Sequence, residues 1–175
     1  MKRIGLASMF CLVILGCVTT ITTRTVSQSV AESIDTKRFL DAVSYVLTEN
    51  GFDIKLLNES YGLVNTDWRP VKSGADTAAT ILSAFSTSQS MTVYSRSMMV
   101  QVMLTENGYS LTPKLRRTSR STSMLGGSSE NVEYPLPESA EGQLAVKIVQ
   151  EINRELGLLN NYRWEEKTLQ VGQEY

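Results

Sequence analysis

The segment MMVQVMLTENGYSLTPKL (residues 98–115) decides the fold, because two alternating apolar stretches flank a strong turn signal. Asn107-Gly108 favours a type I′ turn, and a two-residue loop there joins the stretches into a β-hairpin. This register keeps the apolar side chains on one face. Pro113 has no N–H to donate, so its strand is expected to be an edge or to bulge at that point. The predicted pairs are Leu104 with Leu111, Val102 with Pro113, and Val100 with Leu115.

A helix and another hairpin are predicted upstream. Apolar residues recur at helical spacing over residues 39–47, with an N-cap at Asp35 or Thr36 and a stop at Asn50-Gly51. Alternating apolar residues after this stop then predict two strands joined by a loop at residues 58–62. The predicted pairs are Leu56 with Val64, Ile54 with Thr66, and Phe52 with Trp68.

The remaining elements are less regular. The pattern of residues 69–90 is typical of either a short helix that covers part of the sheet or a mobile loop. The segment Arg120–Ser129 is predicted to be an exposed loop. A last helix is expected from about Glu138 to Leu156. The predicted fold class is therefore α+β: a single antiparallel sheet of about four strands, in two hairpins, with two main helices packed on one face.

The N-terminus has the pattern of an export signal. Lys2 and Arg3 precede a twelve-residue apolar stretch that is too short to span a bilayer, and Gly16-Cys17 closes it. These residues resemble a bacterial lipobox, which implies a signal peptide over residues 1–16 and lipidation of Cys17. The alternative is that Cys17 is an ordinary small residue in a signal peptide that is cleaved elsewhere.

The resemblance also implies a location. The residue after Cys17 is Val18 rather than Asp, which by enteric sorting rules favours the outer membrane, with the domain facing the periplasm. In an organism without an outer membrane, the protein is expected to be anchored in the cell membrane instead. Two or three acyl chains anchor a protein stably, because each buried CH₂ contributes about 0.8 kcal/mol.

The domain organisation follows from this N-terminus. Residues 17–35 are predicted to be the lipidated cysteine and a Ser/Thr-rich flexible tether that spans about 25 Å. Residues 36–157 form the α+β domain. The tail, residues 158–175, is expected to add a short strand, to wrap the domain or to dock a partner.

Composition excludes several kinds of chemistry. The chain has no histidine, so Ser-His-Asp and Cys-His catalysis and His-based zinc sites are ruled out. Neither a P-loop, nor G-x-G-x-x-G, nor S-x-x-K occurs. Loss of Lys2 and Arg3 with the signal leaves 15 basic against 18 acidic residues, which gives no reason to expect nucleic-acid binding. No cofactor, no metal site and no catalytic residue is predicted.

One candidate site is a group of cations near the end of the fourth predicted strand. Such a group could meet phosphates of lipid A, other anionic lipids or an acidic partner. The alternative is a solvated edge strand that resists aggregation. The residues are Lys114, Arg116, Arg117 and Arg120.

A second candidate site is a ligand or partner surface at Trp68, Met99 and Met103. Trp68 has polar neighbours and could stack on a sugar, and Met99 and Met103 are predicted on the same strand face. The alternatives are a Trp that caps the core and methionines that are covered by the chain's own residues.

The order of elements resembles a known class of envelope domain. The first helix stops at Asn50-Gly51-Phe52, and a later strand begins at Gly62-Leu63-Val64. In this respect residues 36–156 resemble the domains of BamC-type lipoproteins of the outer-membrane barrel assembly machinery. BamC-type proteins carry two such domains, and this chain has room for one.

These observations predict a non-enzymatic lipoprotein that acts as an adaptor or accessory subunit in the cell envelope. Its expected partners are the membrane, through the lipid on Cys17, and another envelope protein. The alternative function is a lipoprotein that binds lipid, glycan or peptidoglycan against the sheet. A hydrolase would need two carboxyl groups that converge in a cleft with shifted pKa values.

Overall fold

The computed structural model describes residues 19–31, 33–71, 92–121 and 127–171. In these ranges one antiparallel eight-stranded sheet carries two α-helices. The elements are β1 (Thr19–Ser29), α1 (Thr36–Glu49), β2 (Ile54–Asn58), a 3₁₀ turn (Glu59–Tyr61), β3 (Leu63–Thr66), β4 (Arg69–Pro70), β5 (Thr92–Thr105), β6 (Gly108–Ser121), β7 (Ser128–Glu133), α2 (Ala140–Leu156) and β8 (Tyr162–Val171).

The sheet is twice as large as predicted. Its strand order is β2-β3-β5-β6-β1-β8, with β4 paired to β5 and β7 paired to β6. The prediction of about four strands is wrong because β1 and β8 come from the segments assigned to the tether and the tail. The short strands β4 and β7 were not predicted either, and β7 occupies part of the expected loop at residues 120–129.

β1 replaces most of the predicted tether. Thr19–Ser29 contains five threonines, whose β-branched side chains suit an extended strand. β8 pairs with this strand from Thr19–Val171 to Gln28–Tyr162, and β6 pairs with its other edge. The flexible coil expected over residues 17–35 is therefore wrong for Thr19–Ser29. Of the three roles considered for the tail, strand addition is the one observed.

The helices pack on one face of the sheet. The core cluster joins alternate residues of β5 and β6 to the apolar stripes of α1 and α2. Phe39 of α1 contacts Tyr109 of β6, with ring centroids 5.4 Å apart. The buried strand residues include Val26, Met98, Val100, Val102, Leu111 and Leu115.

The β5–β6 hairpin has a register two residues away from the predicted one. Thr105 pairs with Gly108, so the loop is Glu106-Asn107 instead of Asn107-Gly108. Gly108 belongs to the strand because β1 passes beside it: a Cβ at this position would lie 1.9 Å from the carbonyl oxygen of Gln28. A shift of two residues preserves the face of every side chain, so the predicted core face is retained. The observed pairs include Leu104–Tyr109, Val102–Leu111 and Val100–Pro113.

The first hairpin agrees with the prediction at one pair. Ile54 pairs with Thr66 as expected, but Leu57 instead of Leu56 lies opposite Val64. A register irregularity between Ile54 and Leu56 causes this difference.

The helix ends follow the predicted signals. Asp35 caps α1 by accepting a hydrogen bond from the Arg38 backbone N–H at 2.9 Å. α2 begins after Ser139, which caps it, and ends at Gly157, whose backbone is left-handed. The alternatives for residues 69–90 lie outside the described residues, apart from β4 and Val71.

A buried polar cluster fastens α2 to the sheet. The Tyr109 hydroxyl donates to Asn153 Oδ1 at 2.7 Å, and Asn153 Nδ2 lies 2.9 Å from both Gln28 Oε1 and Asn160 Oδ1. These bonds link β6, α2, β1 and the segment before β8. Each partner satisfies a polar group that would be costly to bury alone.

Tyr109→Phe is expected to lower the free energy of unfolding by about 1–3 kcal/mol, because Asn153 Oδ1 loses its donor in the core. Burial raises the pKa of the Tyr109 hydroxyl far above its ordinary value. As pH rises the unfolded chain therefore ionises first, so this contribution is complete below about pH 10 and declines above it by up to about 1.4 kcal/mol per pH unit.

Urea unfolding of the wild type and Tyr109→Phe, at neutral pH and above pH 10, measures both effects. Tyr61→Phe is the matched control, because Tyr61 is 73% exposed. Equal losses in the two variants would contradict a role for the buried hydroxyl.

Candidate functional site

The face of the sheet opposite α1 and α2, which we call the outer face, carries all of the predicted site residues except Arg117. Side chains alternate along a strand, so residues between the core positions of β5 and β6 point away from the helices. Met99 and Met103 of β5 and Lys114 and Arg116 of β6 belong to this face.

Trp68 is held on the outer face by its neighbour. Arg69 pairs with buried Met98, donates to the carbonyl oxygen of Asn50, and places its guanidinium 5.1 Å from the centre of the Phe52 ring. Since Arg69 is directed to the helix side, Trp68 is directed to the other side. The register thus places Trp68 on the same face as Met99 and Met103.

Arg116 and Trp68 form a cation–π pair. The Arg116 guanidinium carbon lies 4.6 Å from the centre of the Trp68 ring. This contact joins the two predicted sites. Trp68 and Arg116 themselves are nearly fifty residues apart in the sequence. We call Trp68, Met99, Met103 and Arg116 the Trp68 cluster.

Apolar side chains extend the Trp68 cluster towards the β2 edge. Met103 is 41% exposed and pairs with Leu63 of β3. Leu56 of β2, whose pairing with Asn65 puts it on the same face, is 46% exposed. Aromatic residues, methionine and arginine are the types enriched where proteins bind each other.

The predicted cationic group is divided between the two faces. Alternation along β6 places Lys114, Arg116 and Arg120 on the outer face and Arg117 on the opposite side. Arg117 forms an ion pair with Glu133 of β7, with 2.6 Å between Nη2 and Oε1. Arg117 is therefore not part of a common patch with the other three cations.

A cleft lies where β6 changes partner. β1 pairs with β6 as far as Leu111, and β7 pairs with it from Leu115 onward. Pro113 stands in this gap, so its missing N–H costs no bond on that side of β6. The expectation that its strand is an edge or bulges there is wrong, because β6 lies inside the sheet and pairs with β5 without a register shift. Residues of both β1 and β7 line the cleft, which has a volume of about 530 Å³.

The arginines of the cleft are paired with carboxylates. Arg24 Nε lies 2.9 Å from Glu166 Oε2, and Arg24 Nη1 donates to the backbone oxygen of Tyr134. Arg96 Nη1 lies 3.4 Å from Glu141 Oε1. These contacts connect β1 and β5 with the chain around the start of α2. The cleft could not be predicted from the sequence because neither β1 nor β7 was predicted. Pro113 was the signal that could have located it.

Within residues 19–31, 33–71, 92–121 and 127–171, no three Asp, Glu, His or Cys side chains are placed to hold a metal ion. The two described helices are too short or too polar to cross a bilayer. Cys17 lies outside the described part of the chain.

No protein-family model matches this chain, and no curated protein matches it.

Proposed function

We propose that this protein is a non-enzymatic bacterial lipoprotein, anchored through lipid on Cys17, that acts as an adaptor or accessory subunit in the cell envelope. It binds another envelope protein through the outer face of its sheet. The Trp68 cluster is the observation that carries this proposal, because it combines an aromatic ring, a stacked guanidinium and two methionines on one face.

The residue types of the cluster favour a protein as the partner. Tryptophan and arginine are the residues that most often contribute large binding energies, and methionine adapts to irregular apolar surfaces. The ring of Trp68 already holds the Arg116 guanidinium in place, so little side-chain freedom is lost when a partner binds. Lys114 and Arg116 favour an acidic rim on that partner.

The N-terminal sequence supports the proposed location in the cell envelope. Lys2 and Arg3, the apolar stretch after them and Gly16-Cys17 follow the order of a lipoprotein signal. Val18 favours the outer membrane, with the domain in the periplasm. The lipid anchor would hold an adaptor in this location at a fixed distance from the membrane, where the adaptor would bind its partner.

A photoreactive amino acid in place of Met103 is expected to crosslink one envelope protein in intact cells. Met103 is exposed and lies within the apolar part of the outer face. The same probe in place of Arg154, whose side chain is 72% exposed on α2, is the matched control and is expected to give no such product. Arg116→Glu should lower the crosslinking yield at position 103 by about ten-fold, because it reverses the charge that stacks on Trp68 and favours an acidic rim on the partner.

Equal crosslinking from positions 103 and 154, or none from either, would contradict the adaptor function. The cleft would then favour the second candidate, a lipoprotein that binds lipid, glycan or peptidoglycan. Its volume of about 530 Å³ falls within the range of small-molecule sites. Native mass spectrometry of the extracted protein would in that case reveal a bound ligand as added mass.

A further inference from the structure

The first strand begins almost directly after the proposed lipid attachment site. β1 starts at Thr19, and only Val18 separates this residue from Cys17. Two residues of fully extended chain span at most about 7 Å. With lipid on Cys17, the Thr19 end of the sheet therefore lies against the bilayer surface.

Several strands share this end of the sheet. Thr19 pairs with Val171 of β8. β1 is antiparallel to β6 and pairs with it only near the opposite end, over Gly108–Leu111. The far end of β6, where Arg120 pairs with Ser128 of β7, consequently points in the same direction as Thr19.

Three exposed apolar side chains lie near this end on the outer face. Ile21 is 44% exposed, and its cross-strand partner Leu169 is 61% exposed. Val132 of β7 is 47% exposed, and it borders the cleft together with Ile21. Single exposed apolar residues are ordinary, but three at the lipid-proximal end of one face form an apolar contact surface.

Cations flank these apolar residues. Lys167 lies on the outer face two residues before Leu169, and Arg120 lies at the end of β6; both are exposed. Glu130 is the acidic residue that the register of β7 adds to this face. Apolar residues with basic neighbours suit the boundary between acyl chains and anionic headgroups.

We propose that Ile21, Val132, Leu169, Lys167 and Arg120 form a membrane-docking surface that binds anionic lipid headgroups. The proposal rests on the proposed lipid anchor and adds an orientation to it. The ten residue steps of β1 rise about 33 Å, so the β5–β6 hairpin beside Ser29 points away from the membrane. The Trp68 cluster adjoins the docking surface, because Arg116 pairs directly with Val132, and it extends towards the hairpin as far as Met103, which pairs with Ser110.

Site-specific quenching tests this orientation. The full-length lipoprotein is reconstituted in phosphatidylethanolamine vesicles with and without phosphatidylglycerol, and part of the lipid carries a spin-labelled acyl chain as quencher. A thiol-reactive fluorophore is attached at Leu169→Cys or, as the matched control, at Asn107→Cys in the exposed hairpin loop. Both positions are exposed, so both variants should fold normally.

The label at position 169 is expected to be quenched several-fold more strongly than the label at position 107. Phosphatidylglycerol should increase this quenching, and the double variant Lys167→Glu, Arg120→Glu should abolish the increase. Equal quenching at positions 169 and 107, whether strong or weak, would overturn the docking surface. Indifference to phosphatidylglycerol would overturn its preference for anionic lipid.

The same preparation separates failure of the anchor from failure of the docking surface. In protein without an introduced cysteine, a lipidated Cys17 takes up no label. Labelling of Cys17, or an N-terminal peptide mass without fatty acid, would remove the anchor and the docking surface together. Lipidated protein with unquenched label at position 169 would remove the docking surface alone.

Discussion

Cys17→Ala is expected to abolish the mature, fatty-acid-bearing form of the protein. The thiol of Cys17 is the proposed attachment point, and without it the precursor is either released after cleavage elsewhere or retained with its signal peptide. The acyl chains contribute about 0.8 kcal/mol per buried CH₂, so their loss removes nearly all stable anchoring of a processed chain. Incorporation of labelled palmitate and the mass of the N-terminal peptide measure the effect.

Cys11→Ala is the matched control for this experiment, since Cys11 is the chain's other cysteine and is expected to leave with the signal peptide. That variant should incorporate as much label as the wild type. Undiminished palmitate incorporation by Cys17→Ala would refute lipidation at this position. Loss of label in both variants would point to a general export defect.

Gly108→Ala is expected to lower the free energy of unfolding by about 3 kcal/mol or more. Gly108 has a φ of 141°, and an added Cβ would lie 1.9 Å from the backbone oxygen of Gln28. Because this oxygen belongs to β1, relief of the clash requires β1 and β6 to separate where they pair. Urea unfolding followed by circular dichroism measures the loss.

Gly127→Ala provides the comparison, because among the described residues no heavy atom beyond its chain neighbours lies within 4 Å of its added Cβ. Its free energy of unfolding should change by less than about 0.5 kcal/mol. If Gly108→Ala were no more destabilising than Gly127→Ala, β1 would not pack against Gly108 as described.

The elements that the sequence predicted well are those specified by local signals. α1 has both a cap at Asp35 and a stop at Asn50-Gly51, and these residues act within a few positions of each other. The core face of β5 and β6 was also correct, since alternation survives a shift of two residues. The exact register was wrong because Gly108 responds to β1, a strand from a remote part of the chain.

β1 and β8 could not be predicted because their stability is non-local. β1 is rich in Thr and Ser and has one fully buried apolar side chain, Val26, among its described residues. Its partner on one edge, β8, is far away in the sequence: the paired residues Thr22 and Thr168 are 146 positions apart. A segment with so little apolar surface resembles a linker until that partner is known.

The residues of the candidate site were predicted from the sequence, but their contacts with one another were not. Trp68, Met99, Met103 and Arg116 were all identified, whereas the stacking of Arg116 on Trp68 depends on β4 and β6 flanking β5. The separation of Arg117 from the other cations follows from strand alternation. The cleft required β1 and β7, so it was not predicted.

The pairing of β1 with β8 makes completion of the sheet a late event in folding. As the chain is synthesised from its N-terminus, β1 emerges before the other described strands and β8 emerges after them, so one edge of β1 stays unpaired in the interval. Closure of such a large sequence separation is slow compared with formation of a hairpin. Newly made chains therefore pass through a stage at which an open strand edge requires protection from other chains.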